Sequence, residues 1–106
     1  MGQQMLCVLT SGVQEKVADD TDFAKFVNRS LLRFIRRDWG DELDPESWKV
    51  NDENSARLEA GEWYGTVLAS YLFKANEPSY DDIWIMRNTA DTDGTVAITI
   101  LFPGEY

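Results

Sequence analysis

After Gly65 the apolar residues of this chain change period, and that change constrains the fold more than any single motif. Upstream, Phe23, Phe26, Val27, Leu31, Phe34 and Ile35 recur at intervals of three and four, the spacing that lines one face of an α-helix. Downstream, Thr66 to Phe73, Asp82 to Asn88 and Gly94 to Phe102 are rich in β-branched and aromatic residues and are separated by turn formers. They read as three strands in a meander. In the last of them Val96, Ile98, Ile100 and Phe102 alternate with Ala97, Thr99 and Leu101, so one strongly apolar face is expected beneath the helices.

The first half fills in around the long helix. Met5 to Thr10 is a short apolar run ending at Ser11-Gly12 and reads as a buried strand, with Cys7 as a small core residue. Val13 to Ala18 reads as a helical turn. The long helix takes Asp20 or Thr21 as its N-cap and is expected to run to about Trp39-Gly40. Asp44-Pro45 then opens a further helix, proline being well suited to the first helical position. Its apolar side is thin, formed by Trp48, Val50, Ala56 and Leu58. Asn51-Asp52 offers a second cap before Gly61, so one helix or two fit equally. The order is β-α-α-β-β-β, and the expectation is a single α+β domain over residues 1–106. It would hold an antiparallel sheet of about four strands with the helices packed on one face. The first strand would sit at an edge or beside the last strand, and Trp84 in the core.

Charge is distributed less evenly than pattern. The chain has 19 Asp and Glu, 10 Lys and Arg, no histidine and a net charge of −9 over 106 residues. Nine of the acids but only two bases, Lys49 and Arg57, lie between Asp38 and Glu62. A surface of this sign repels phosphates and attracts basic protein surfaces, so direct binding of nucleic acid or membrane is not expected. One cysteine excludes an internal disulfide and fits a reducing cytosol. The start lacks the basic region and apolar run of a signal peptide, and no stretch has the length of a membrane span. A cytoplasmic protein is expected. Leu6 breaks the myristoylation pattern at Met1-Gly2, and the sequon Asn28-Arg29-Ser30 falls within the long helix.

Without histidine, Ser-His and Cys-His nucleophiles and histidine metal sites are ruled out, and the usual general base near neutral pH is missing. The stretch Thr89 to Gly94 resembles a calcium loop only superficially, because Thr89 and Ile100 stand where that loop needs acids. A hairpin turn explains it better. Neither catalytic residues, nor a metal, nor a cofactor is expected. Lys25, Arg29, Arg33 and Arg36 form a basic stripe on the long helix, best read as paired with the acidic segment or solvated. Trp39, Trp48 and Trp63 fall in or beside the acidic stretch, where aromatics among carboxylates suit either a sealed core or a protein interface.

Thr10-Ser11-Gly12-Val13, Asp22-Phe23-Ala24-Lys25-Phe26-Val27, Ser30-Leu31, Asp38-Trp39-Gly40-Asp41, Asn51-Asp52, Ile83-Trp84-Ile85 and Leu101-Phe102-Pro103-Gly104-Glu105-Tyr106 follow one another along the chain. In these blocks it resembles a group of small acidic proteins of bacterial plasmids, integrative elements and phages. The resemblance implies a setting, that of a mobile element carrying inhibitors of host defence such as anti-CRISPR and anti-restriction proteins. On that reading the protein is a non-enzymatic inhibitor or accessory factor, and its partner is a basic surface of a host nucleic-acid-processing protein or complex. Asp38, Asp41, Glu42, Asp44, Glu46, Asp52 and Glu53 would stand in for phosphates, with Trp39 and Trp48 as anchors. The alternatives are a general interaction module or small homodimer of an element's maintenance system and, behind it, a carboxylate-dependent enzyme or divalent-metal binder.

Overall fold

The computed structural model describes residues 5–40, 43–60, 66–73, 81–89 and 96–106. In chain order the elements are β1 (Met5–Leu9), α1 (Ser11–Asp19), α2 (Thr21–Ile35), α3 (Pro45–Glu59), β2 (Val67–Phe73), β3 (Asp81–Thr89) and β4 (Val96–Leu101), followed by a 3-10 turn at Pro103–Glu105. The fold is α+β. The sheet runs β1-β4-β3-β2.

The three-strand meander is present, with β2 antiparallel to β3 and β3 to β4. The sheet as a whole is mixed, however, and not antiparallel as the sequence led us to expect, because β1 lies parallel to β4. Alternation within a strand reports which face is buried but not the direction of its neighbour. Direction follows from the chain path. β1 and β4 finish on the same side of the molecule, which lets the turn after β4 reach the start of α1. There the Glu105 carboxylate accepts hydrogen bonds from Thr10 Oγ1 (2.6 Å), the Gly12 amide (3.1 Å) and the Phe102 amide (3.0 Å). A first-turn N–H of α1, which has no partner within its own helix, is thus satisfied by a carboxylate 93 residues away, favourably placed in the helix dipole.

α2 follows its expected face except at its end, where Ile35, expected inside, is 54% exposed. Phe23, Phe26, Val27 and Phe34 are buried, Leu31 half-buried, and Ser30 at 2% exposure fills the stripe between Phe26 and Phe34. Asp20 is the N-cap, accepting from the Phe23 amide at 3.1 Å. These side chains meet Val67, Ala69, Tyr71, Phe73, Ile83, Ile85, Ile98 and Ile100 from one sheet face in a single core. Phe23 packs edge-on against Phe73 with ring centroids 5.3 Å apart.

Several boundaries differ from expectation. The stretch read as a helical turn is a nine-residue helix. α2 stops at Ile35, four residues before Trp39, in a Schellman turn: the Arg37 amide donates to Phe34 O at 3.0 Å and the Asp38 amide to Arg33 O at 2.8 Å. Arg37 occupies the left-handed position of that turn, with φ 64°. No glycine announces it. β1 is an edge strand and not the buried strand expected, since Leu6, Cys7 and Val8 are all exposed, Cys7 therefore lying outside the core. Trp84 is half-buried on the face opposite the helices, where its ring meets Tyr106 edge-on at 5.7 Å. The expectations for Glu62, Trp63 and the Thr89–Gly94 hairpin turn fall wholly or mainly outside the described residues. Among the described residues no helix is long and apolar enough to cross a membrane.

Candidate functional site

The acidic segment divides into two parts with different roles. The first, Asp38-Trp39-Gly40, leaves the end of α2 and runs beside the outer edge of β2. Asp38 holds Arg33 through two hydrogen bonds, from Nε to Oδ2 at 2.7 Å and from Nη2 to Oδ1 at 3.1 Å. The bond to Arg33 keeps the Asp38 carboxyl below the usual carboxylate range against the opposing effect of burial, and the Gly40 amide adds a lesser lowering. The Tyr71 hydroxyl donates to Asp38 O at 2.6 Å, and burial pushes its phenol pKa up. Arg33 lies over the Tyr71 ring at 5.1 Å, completing a closed Arg-Asp-Tyr corner.

Trp39 is 1% exposed. Its ring packs edge-on against Phe34 with centroids 5.2 Å apart, and its indole N–H donates to Asp52 Oδ1 at 3.0 Å. The half-buried Trp48 donates from its indole to Gly40 O at 3.2 Å. Gly40 itself has φ 90°, and a Cβ there would stand 1.9 Å from Ser70 O. Backbone passing this close to a strand requires glycine. Trp39 therefore cannot offer its ring to a partner in the folded protein, and Asp38 and Trp48 are tied into the corner.

The second part is α3. Asp44 is its N-cap, accepting from the Ser47 amide at 2.9 Å, and the bonds from Ser47 lower the Asp44 carboxyl's pKa. The side that docks is polar. Ser47, Asn51 and Ser55, spaced i, i+4, i+8, face inward, and Asn51 and Ser55 are 5% and 2% exposed. Asn51 donates from Nδ2 to Leu68 O at 2.8 Å and accepts from the Leu68 amide at 3.3 Å, so one side-chain amide pairs with β2 much as another strand would. Asn54 donates to Thr66 O at 3.0 Å. Val50 and Ala56, expected on an apolar inner side, are exposed. The stripe of small polar residues was visible in the sequence. Its meaning was not, because nothing local shows that an exposed strand edge waits for it.

The outward side of α3 carries Glu46, Lys49, Val50, Asp52, Glu53, Ala56 and Arg57, all exposed. Glu46, Val50 and Glu53 follow one another at i, i+4, i+7 and share one stripe. Shallow grooves of about 380 and 420 Å³ flank the N-terminal half of the helix. Glu46, Val50 and Leu68 line one, and Pro45, Trp48, Lys49 and Asp52 the other, with Leu43 common to both. Of the nine residues read as partner-binding, Asp44, Glu46, Asp52 and Glu53 are thus exposed on or at the start of one helix. Asp38, Trp39 and Trp48 build the corner behind it. Asp41 and Glu42 lie outside the described residues. Comparison of the chain with protein-family models, curated proteins and solved structures found no match.

Proposed function

We propose that this protein is a non-enzymatic acidic binding protein of a bacterial mobile element, an inhibitor or accessory factor of the anti-CRISPR or anti-restriction kind. It occupies a basic nucleic-acid-binding surface of a host defence effector. The observation that carries the reading is the outward face of α3. Glu46 and Glu53 are exposed on it, and Val50, at 47% exposure, sits between them. Those two glutamates stand about 10 Å apart along the helix axis and put two negative charges on one side of it for a basic groove to meet. Such a surface associates quickly, weakens with salt and competes with nucleic acid.

The test is the double reversal Glu46→Lys with Glu53→Lys, which avoids Asp44 and Asp52 because both hold up the fold. Nucleic-acid-binding proteins captured from a bacterial lysate by the native chain should be released by salt and displaced by added DNA, and the reversed chain should not retain them. Capture that DNA does not displace, or that survives the reversal, overturns the reading.

A second reading, a small homodimeric interaction module, draws on β1. This edge strand has no charged residue and presents Leu6 at 55% and Val8 at 41% exposure, without the usual safeguards against edge pairing. Sedimentation equilibrium distinguishes it, since Leu6→Lys would return a dimer to monomer.

A further inference from the structure

A cavity of about 150 Å³ lies between the end of α2, α3 and the sheet, lined by Phe34, Ile35, Arg37, Trp39, Ser55, Arg87 and Ile98. We infer that it is a binding site for a small carboxylate with a compact apolar body, about the size of benzoate. Three observations lead there. Part of the wall is apolar and buried, since Phe34, Trp39 and Ile98 are each no more than 4% exposed. A cavity of this volume lined by apolar side chains accommodates a benzene ring.

Two arginines, Arg37 and Arg87, line the same space. Arg87 is on the helix-covered face of β3, where its strand neighbours are Val67 and Ile98, and its Nε is shut off from solvent. In a chain of net charge −9 an anion needs cationic groups beside it to bind, and this cavity has two arginines in its lining. Both arginines have contacts within the protein. A guanidinium has five N–H donors, so such contacts still allow it to donate to a carboxylate. The Ser55 hydroxyl, on a residue 2% exposed, adds a neutral polar group to the lining. A mostly apolar pocket with a few convergent polar groups is the usual form of a small-molecule site.

The third observation is the backbone. Arg37 holds the left-handed position of the Schellman turn at φ 64°, where glycine is the unstrained choice. Strain kept at a pocket rim is explained if the side chain has work there. Binding here does not depend on the outward face of α3.

The probe is benzoate, with benzamide as the uncharged counterpart of the same shape, titrated into the full chain labelled with ¹⁵N in phosphate-free buffer. Benzoate should shift the Trp39 indole signal and the Ser55 and Ile98 amides saturably, about tenfold more tightly than benzamide. Arg37→Gly should raise Tm, by relieving the turn, and weaken benzoate about tenfold while leaving benzamide unchanged. Arg87→Met, which keeps the bulk of the side chain, should weaken benzoate likewise if it folds. The inference is overturned if benzoate gives no saturable shift up to about 20 mM, a concentration at which a site of millimolar affinity would be mostly filled. Equal binding of benzamide, or undiminished benzoate binding by Arg37→Gly, overturns it too.

Discussion

Gly40 and Arg37 stand three residues apart and meet opposite demands at the same corner. At Gly40 the backbone has φ 90° and a Cβ would fall 1.9 Å from the carbonyl oxygen of Ser70, an atom fixed in β2. Gly40→Ala must move strand or corner, and we expect a loss of about 3 kcal/mol or more in urea unfolding. At Arg37 the left-handed conformation is borne by a residue that pays for its Cβ. Arg37→Gly should therefore stabilise the protein by about 0.5–1 kcal/mol, read from the shift in the unfolding midpoint at constant slope. A destabilised Arg37→Gly would mean that the side chain's contacts outweigh the relief of its backbone.

At the scale of elements, α3 departs from the usual amphipathic helix. It meets the sheet through small polar residues and hydrogen bonds to the edge of β2, leaving its carboxylates and Val50 outside. Asn51→Leu illustrates the consequence. It adds apolar bulk at a 5% exposed position, yet strips the Leu68 N–H and C=O of their partners. We expect a loss of about 2 kcal/mol and faster exchange of the Leu68 amide hydrogen, because unsatisfied buried backbone groups cost more than a methyl group returns. An unchanged exchange rate at Leu68 would show that the Asn51 side chain does not protect that amide. α2 follows its pattern over most of its inner face, with Phe23, Phe26, Val27 and Phe34 buried, although Ile35 at the last position is exposed. Its end did not follow, because the Schellman turn uses arginine where a sequence signal would be glycine.

At the scale of the whole molecule, the Glu105 carboxylate ties the last turn to the first helix. Its pKa lies below the ordinary range, mainly through the Thr10 hydroxyl, then the amides of Phe102 and Gly12. Asp38 is lowered likewise by Arg33. A carboxyl with a folded pKa below its unfolded value stabilises fully above the unfolded value, about 4.3 for Glu. That contribution is lost as pH falls through the lowered folded pKa. Stability should therefore fall on acidification below about pH 5. Glu105→Gln should lower Tm at pH 7 and flatten that decline, the two chains converging at low pH. Thermal melts across pH 3 to 7 provide the check, and parallel curves would show that Glu105 adds no pH dependence.

The sequence by itself determined the class of fold, most of the inner face of α2, the meander and the concentration of acid in the middle of the chain. Period and charge are local properties, set by neighbours a few residues away. Tertiary structure alone decided that β1 runs parallel to β4, that Asp38, Trp39 and Trp48 close a corner while Glu46 and Glu53 face solvent, and that Arg37 and Arg87 border one cavity. Each depends on contacts between residues far apart in the chain, as with Glu105 and Gly12, or on whether a backbone edge is already occupied. Neither the spacing nor the chemistry of nearby residues reports such facts. The same carboxylate is a hinge pin at Asp38 and a solvated charge at Glu53 because of what stands opposite it.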